Sequence, residues 1–377
     1  MRRSLIFMVL LVVAVLGATV FREQVAPAAS MLAADGSSGS APVQRPGTAA
    51  ASSAVSTSGP HVVASVSVEG SPHGLALSGG GLWVARHRGT GVVKIDPATN
   101  KVVAEVNTVL GQPGRLTVGA GSLWLANYSS NSVTRIDPVA NAVLATVRTA
   151  GEVCCWPAYA GGDLWVASGN HGAFAKIDPA TNKVVGTVSF PPAAVGGLEA
   201  DGSLWISVSP PPTCKTVVTK KRRRVHGKVR VVRKKVRVCS QPADPFQAGR
   251  LARIDPATGK ATRLAIVGVP LGFAAGTVWV ATPDSRLLRV STSTNAVVAS
   301  IKMPQPTGPV VGDESGVWTV SWSDSGPGTL YRIDPQTNQI VASTVLTAGS
   351  VADLAPTGDG GVWASLFDDD RVVRVEP

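Results

Sequence analysis

The chain has 377 residues, a formal net charge of +11, 44% hydrophobic residues, 5% aromatics and 40 glycines. That aliphatic content is ample for a packed core and excludes a wholly disordered chain, while few aromatics and many glycines suit a fold of many tight turns. Length alone suggests two domains, but all-β repeat rings of this size fold as one unit.

Arg2 and Arg3 precede an apolar run from Leu5 to Phe21. A positive start followed by such a run is an export signal and not part of the fold. Residues 1–22 are therefore either a cleaved signal peptide or an uncleaved signal anchor. Ala26-Pro27-Ala28 offers a cleavage pattern but lies well beyond the run, whose length is near the lower limit for spanning a bilayer. No cysteine follows the run, which argues against a lipid anchor. Either way the rest of the chain is expected outside the cytoplasm, secreted or held at the membrane by this segment. Residues 23–60, rich in Ala, Ser, Gly, Thr and Pro, show no apolar period and read as a disordered linker.

From His61 onward one pattern recurs. It first runs from Gly81 to Val106, as GLWVA, a polar gap, then VVKIDPATNKVVAEV. Its tryptophans are Trp83, Trp124, Trp165, Trp205, Trp279, Trp318 and Trp363, at intervals of 41, 41, 40, 74, 39 and 45 residues. A period near forty with short apolar runs predicts a β-propeller. The first unit holds four β-like runs, Leu75 to Leu77, Leu82 to Ala85, Val92 to Ile95 and Val102 to Val106. The repeated tryptophans are expected to pack between adjacent blades.

The third and fourth runs are joined by Asp96-Pro97-Ala98-Thr99-Asn100. Proline presets a type I turn, Asp can accept bonds from the turn amides, and Asn tolerates the left-handed conformation that closes the loop. The pattern returns at Asp137-Pro138 with Asn141, Asp178-Pro179 with Asn182, Asp255-Pro256 with Gly259, and Asp334-Pro335 with Asn338. In the fifth unit Ser291 and Thr292 replace Asp and Pro, and Asn295 remains. These aspartates read as turn caps rather than catalytic acids.

Cys154 and Cys155 are adjacent. A disulfide between neighbours would be strained, and no second pair stands at a zinc-finger spacing. The long interval contains an insertion at 213–248, in which Cys214 and Cys239 flank a basic segment. Twelve Lys or Arg and no acid lie between those cysteines, so removing them takes the net charge from +11 to −1. They are Lys215, Lys220, Lys221, Arg222, Arg223, Arg224, Lys228, Arg230, Arg233, Lys234, Lys235 and Arg237. Val alternates with them on both sides of His226-Gly227. With those two residues as the loop, Val225 faces Lys228 and Cys214 faces Cys239, which predicts a two-stranded arm closed by a disulfide. Like charges would then oppose, as in Lys220 with Arg233 and Arg223 with Arg230.

The last unit ends at Val372-Val373-Arg374-Val375-Glu376-Pro377 and so supplies three strands. His61 to Val68 reads like a fourth strand and precedes the first unit. Open sheet edges invite aggregation, so the two ends should pair. The expected fold is all-β: a seven-bladed β-propeller of four-stranded antiparallel blades, the last closed by the N-terminal strand, over 61–377.

The repeat, a G-x-W-V-A strand followed by R-I-D-P-x-T-N-x-V-V-A-T, resembles the YVTN-type bacterial β-propeller repeats. More loosely it is similar to the streptogramin lyases of the virginiamycin B lyase type, seven-bladed enzymes that open a cyclic depsipeptide by elimination with histidines, a glutamate and magnesium. Here the histidines are His61, His73, His87, His171 and His226, and the last three units have none. The lyase strand W-F-T-E reads Trp83-Val84-Ala85 here. No catalytic residue, cofactor or metal ligand is therefore carried across.

The resemblance implies one loop face, formed where blades connect and between second and third strands. His73, Arg115 and Trp156 would stand near its central mouth, with Arg86, His87, Arg88, Tyr128, His171, Trp322 and Asp324 around it. The basic arm leaves from the same face. Loops on a rigid ring are where binding residues sit, although a solvated polar rim would look the same in sequence. The expected function is a non-catalytic binding or scaffold propeller, a monomer with an unknown ligand on the loop face. Its arm would engage an anionic envelope polymer, lipid headgroups or nucleic acid. A lyase-like enzyme is the alternative. Without interleaved aromatics for base stacking, the arm does not fit sequence-specific nucleic acid recognition.

Overall fold

Each forty-residue unit forms one antiparallel sheet whose strands pair in chain order. In blade 1 these are Pro72–Ser78, Gly81–Arg86, Val92–Asp96 and Lys101–Val106. The computed structural model describes residues 59–377, apart from 109–110, 152, 154–156, 169–171, 192, 226–227, 241–244 and 322–325. It also leaves undescribed the side chains at 221–230, 232 and 245. The expected export signal, the linker up to residue 58 and the Cys154-Cys155 pair lie outside the described residues.

Blades 2 to 6 repeat the pattern over 113–148, 158–189, 194–267, 269–302 and 307–347. Blade 7 takes Val351–Pro356, Val362–Leu366 and Arg371–Glu376 from the C-terminal end and His61–Ser67 from the other. The closing strands run antiparallel from His61 opposite Glu376 to Ser67 opposite Arg371, with a bulge between Val62 and Ala64. The ring is a seven-bladed propeller, and both ends of the folded chain are hidden in one sheet.

The turns behave as their chemistry requires. Asn100, Asn141, Asn182, Asn295 and Asn338 have φ between 53° and 58°, and Gly259 has φ 68°. The Asp96 carboxylate accepts from the Ala98 amide at 2.9 Å and the Thr99 hydroxyl at 2.8 Å, which holds its pKa below the ordinary carboxylate value. In the fifth unit the Ser291 hydroxyl accepts from the Thr294 amide at 3.2 Å, a shorter-armed version of the same cap.

Burial is greatest in the first three strands of a blade, while the fourth is the outer, half-wet edge, as in Lys101–Val106. All seven repeat tryptophans are fully buried, and each packs into the next blade. Trp83 joins Leu116, Leu123 and Leu125 of blade 2, and Trp363 of blade 7 joins Leu82 and Val84 of blade 1. The tryptophans thus carry the contacts that continue the ring through its closure.

The basic residue of the R-I-D-P motif has a role that the sequence pattern does not announce. It sits opposite the tryptophan in register, as Lys94 does to Trp83 and Arg135 to Trp124. From there it lies over the indole and reaches the Asp-Pro turn of the following blade. Arg135 has its guanidinium carbon 5.1 Å from the Trp124 ring centroid and donates to the Pro179 carbonyl at 2.5 Å and Asn182 Oδ1 at 3.0 Å. Lys94 donates to the Pro138 carbonyl at 2.8 Å, and Arg289 bonds Pro335 and Asn338. One side chain therefore couples a cation–π contact to an inter-blade hydrogen bond.

The insertion leaves blade 4 between Ser203–Val208 and Arg250–Ile254, its second and third strands. Cys214–Val225 and Lys228–Cys239 form a separate two-stranded sheet, followed by the short helix Pro245–Ala248. The pairing runs from Cys214 opposite Cys239 to Val225 opposite Lys228, and Cys214 and Cys239 are joined by a disulfide. The His226-Gly227 loop itself lies outside the described residues. A two-stranded hairpin is marginal by itself, so a covalent clasp at its base matters.

Candidate functional site

The first strands of neighbouring blades contact one another around the centre of the ring. Near the loop face six of them carry a register shift against the second strand, between Pro72 and Leu75, Pro113 and Leu116, and Val351 and Asp353 among others. A bulge bends the strand and re-aims a side chain. His73 and Arg115 stand within two of these shifts, and Asp353 stands at the edge of a third.

Arg115 and Asp353 form an ion pair of 2.5 Å, with both side chains about 1% exposed. Arg115 also donates to the Ala352 carbonyl at 2.8 Å. Asp353 accepts from the backbone amides of Leu75 and Leu354, both at 3.0 Å. Burial pushes the Asp353 carboxyl above its ordinary value, against the opposing pull of Arg115 and the amides. Ser365 donates to the His73 carbonyl at 2.8 Å and accepts from the Asp353 amide at 2.8 Å. Blades 7, 1 and 2 are thus tied by one buried polar network.

An aromatic group lies against this network. His73 and His87 stack with ring centroids 5.1 Å apart, and Tyr128 meets them edge-on at 6.1 and 5.9 Å. Phe367 packs beside both at 5.9 and 5.7 Å, and the Arg88 guanidinium lies 5.1 Å over the Phe367 ring. Gly114 makes room for this arrangement, because a Cβ there would come within 2.2 Å of the Tyr128 ring. The His87 Nδ1 lies 3.1 Å from the Pro113 carbonyl, which can only accept, so that nitrogen carries the proton. His73 is 4% exposed, and among the described residues its buried Nδ1 has no hydrogen-bond partner. Burial first, then the Arg115 and His87 charges, hold its pKa well below 6.5, so the ring is neutral at neutral pH. Burial also lowers His87.

Of the residues expected on this face, His73, His87, Arg88, Arg115 and Tyr128 come together. Arg86 does not: its guanidinium turns outward to Glu105 and the Thr90 carbonyl. Trp156, His171, Trp322 and Asp324 lie outside the described residues. The sequence reading missed Asp353 and Phe367. A signal for Asp353 was present, because it and Arg115 each directly precede the buried leucine of a first strand, Leu354 and Leu116. Gly74 takes that position in the blade between them, where a Cβ would stand 2.6 Å from the Gly114 carbonyl oxygen.

On the arm, Lys220 stands opposite Arg233, Thr219 opposite Lys234, Val218 opposite Lys235 and Thr216 opposite Arg237, and all of these are exposed. Lys221, Arg222, Arg223, Arg224, Lys228 and Arg230 are placed by backbone register only, Arg223 opposite Arg230. Among the described residues no group of three or more His, Cys, Asp or Glu is placed to hold a metal ion. No helix among them is long and apolar enough to cross a membrane.

No protein-family model and no curated protein matches the chain. Solved structures do. A streptogramin B lyase structure matches with TM-score 0.62 and 15% identity over 84% of this chain and 98% of the other. The selenomethionine-substituted virginiamycin B lyase from Staphylococcus aureus matches with the same TM-score and identity, over 84% and 99%. At such identity the likeness is one of fold, and it agrees with the seven-bladed ring described above.

Proposed function

We propose that the protein is an extracytoplasmic, non-catalytic binding propeller that holds an anionic polymer through its basic arm. The observation that carries this reading is the mirror pairing of Cys214–Val225 with Lys228–Cys239, which concentrates twelve basic residues and no acid on one ribbon. Facing like charges raise the free energy of the free arm, and a polyanion laid along it offsets that cost. The Cys214–Cys239 disulfide suits an oxidising compartment outside the cytoplasm. Given that location, the reading favours an envelope polymer over nucleic acid.

The test is to excise Lys215 to Val238 and bridge the ends with a short Gly-Ser turn. The ring should keep its thermal midpoint, since the arm is a sheet of its own. Binding to heparin or teichoic-acid beads should vanish. In the intact protein, binding should weaken steeply with salt, by a slope of about 0.7–0.9 per phosphate contact on logarithmic axes for a phosphate polymer. Binding that survives the excision, or that ignores salt, refutes the reading.

A second reading, a streptogramin lyase-like enzyme, draws support from the Nδ1 of neutral His73, buried and without a partner among the described residues, a candidate base. Against it stands the absence of histidine after His226. The purified protein is expected to leave a streptogramin intact in the presence of magnesium. Rapid linearisation that His73→Gln abolishes would establish the enzyme instead.

A further inference from the structure

The basic arm carries its charge on both faces. Opposed residues of an antiparallel pair share a face, and successive residues alternate between faces. The register from Cys214 opposite Cys239 to Val225 opposite Lys228 runs without a break, so the alternation holds along the whole ribbon. One face takes Lys220, Arg233, Lys235 and Arg237, and the other takes Lys215 and Lys234. The same register puts Arg222 and Arg224 at positions of the first face, and Lys221, Arg223, Lys228 and Arg230 at positions of the second. The twelve basic residues therefore divide six and six, with no acid on either side.

Both faces are also open. A sheet with one face packed shows burial at every second residue. Here Lys215 to Lys220 are exposed without interruption. Val217 and Val218 are neighbours on opposite faces, and they are 45% and 48% exposed. Across the ribbon Val238, on the face of Val217, and Val231, on the face of Val218, are each 52% exposed. Strands of twelve residues make the ribbon about 40 Å long at about 3.3 Å per residue. A polyanion segment laid on one face meets half of the basic residues and leaves the other half to solvent. Long basic side chains on opposite faces of a sheet end farther apart than the Debye length of about 8 Å, so a segment bound on one face does little to repel a second on the other. We propose that the arm is bivalent: it holds two polyanion segments at once, one on each face, and so cross-links the polymer. The proposal rests on the anionic-polymer reading above and adds to it the number of partners.

The experiment titrates the full chain by calorimetry with a heparin decasaccharide, comparable to the ribbon in length and too stiff to fold round its edge. The intact protein should take up two decasaccharides, and the protein lacking Lys215 to Val238 none. The first-face variant combines Lys220→Gln, Arg222→Gln, Arg224→Gln, Arg233→Gln, Lys235→Gln and Arg237→Gln. The second-face variant combines Lys215→Gln, Lys221→Gln, Arg223→Gln, Lys228→Gln, Arg230→Gln and Lys234→Gln. Each should take up one. Only the intact protein, loaded on heparin beads, should go on to capture free fluorescent heparin. A variant whose ribbon failed to form would take up none instead of one, and the stoichiometry of the intact protein decides without it. Uptake of a single decasaccharide by the intact protein, or bead capture retained by both face variants, overturns bivalency and leaves the anionic-polymer reading standing. No uptake by the intact protein overturns both.

Discussion

Arg115 of blade 2 and Asp353 of blade 7 meet at 2.5 Å across the inner end of blade 1, both almost wholly buried. Removing one partner of such a pair leaves an uncompensated buried charge, which typically costs about 3–5 kcal/mol. Arg115→Ala and Asp353→Ala should each destabilise the ring by that order in urea unfolding. The double replacement Arg115→Met with Asp353→Leu should recover most of the loss, because the burial cost of both charges disappears. A double variant no better than the worse single one would show that the pair contributes more than mutual neutralisation.

Ring closure rests on His61–Ser67 pairing with Arg371–Glu376 and on Trp363 packing into blade 1. Deleting residues 1–60 should leave a folded, monodisperse protein, and deleting residues 1–70 should expose a sheet edge and cause aggregation. Trp363→Ala should cost about 3–5 kcal/mol, as other large core truncations do. Light scattering and thermal melts of the three variants decide the matter, and a soluble, cooperatively melting 1–70 deletion would contradict this account of closure.

The turn asparagines occupy the left-handed region, which costs most residues about 1–2 kcal/mol. Asn100, with φ 55°, should tolerate glycine with little change. Asn100→Ala should lose about 1 kcal/mol in chemical denaturation. Equal stability of the two variants would mean that the turn rearranges.

His73 is neutral when folded, with its pKa lowered well below the ordinary 6.5 by burial and by the Arg115 and His87 charges. As pH falls through 6.5 the unfolded chain takes up a proton there and the folded chain does not. Stability should therefore fall on acidification below that point and level off only below the folded pKa. His87, also lowered, adds in the same direction. His73→Gln should flatten the fall in unfolding free energy between about pH 7.5 and about pH 5.5. An unchanged slope would place the titration elsewhere.

The architecture was legible because its determinants are local or periodic. Strand alternation, the Asp-Pro turn with its left-handed Asn, and the interval between Trp83 and Trp124 all act within a unit or between neighbours. The closing strand was legible too, since a sheet that ends one strand short must find it at the other terminus. The arm announced its register through the symmetry of Cys214 and Cys239 about His226-Gly227. The aromatic group at the mouth was legible only in part. The resemblance implied one face for His73, His87, Arg88, Arg115 and Tyr128, but not their contacts.

What tertiary structure alone decided is which of those groups meet and what they bury. Arg115 finds Asp353 because the ring brings blades 7 and 2 to either side of Gly74, a juxtaposition made by closure and not by any local preference. Arg86, by contrast, is drawn to Glu105 on its own blade. The basic residue of the R-I-D-P motif, to which the sequence pattern assigns no role, is in several blades an inter-blade clasp, because the indole beneath it and the carbonyl beyond it belong to different parts of the sheet ring. The sequence by itself determined the blades, their number and their turns, since backbone dihedral preference and side-chain alternation act over a few residues. Desolvation and pair geometry depend on groups hundreds of positions apart, so the ion pair and the neutral His73 exist only once the ring is closed.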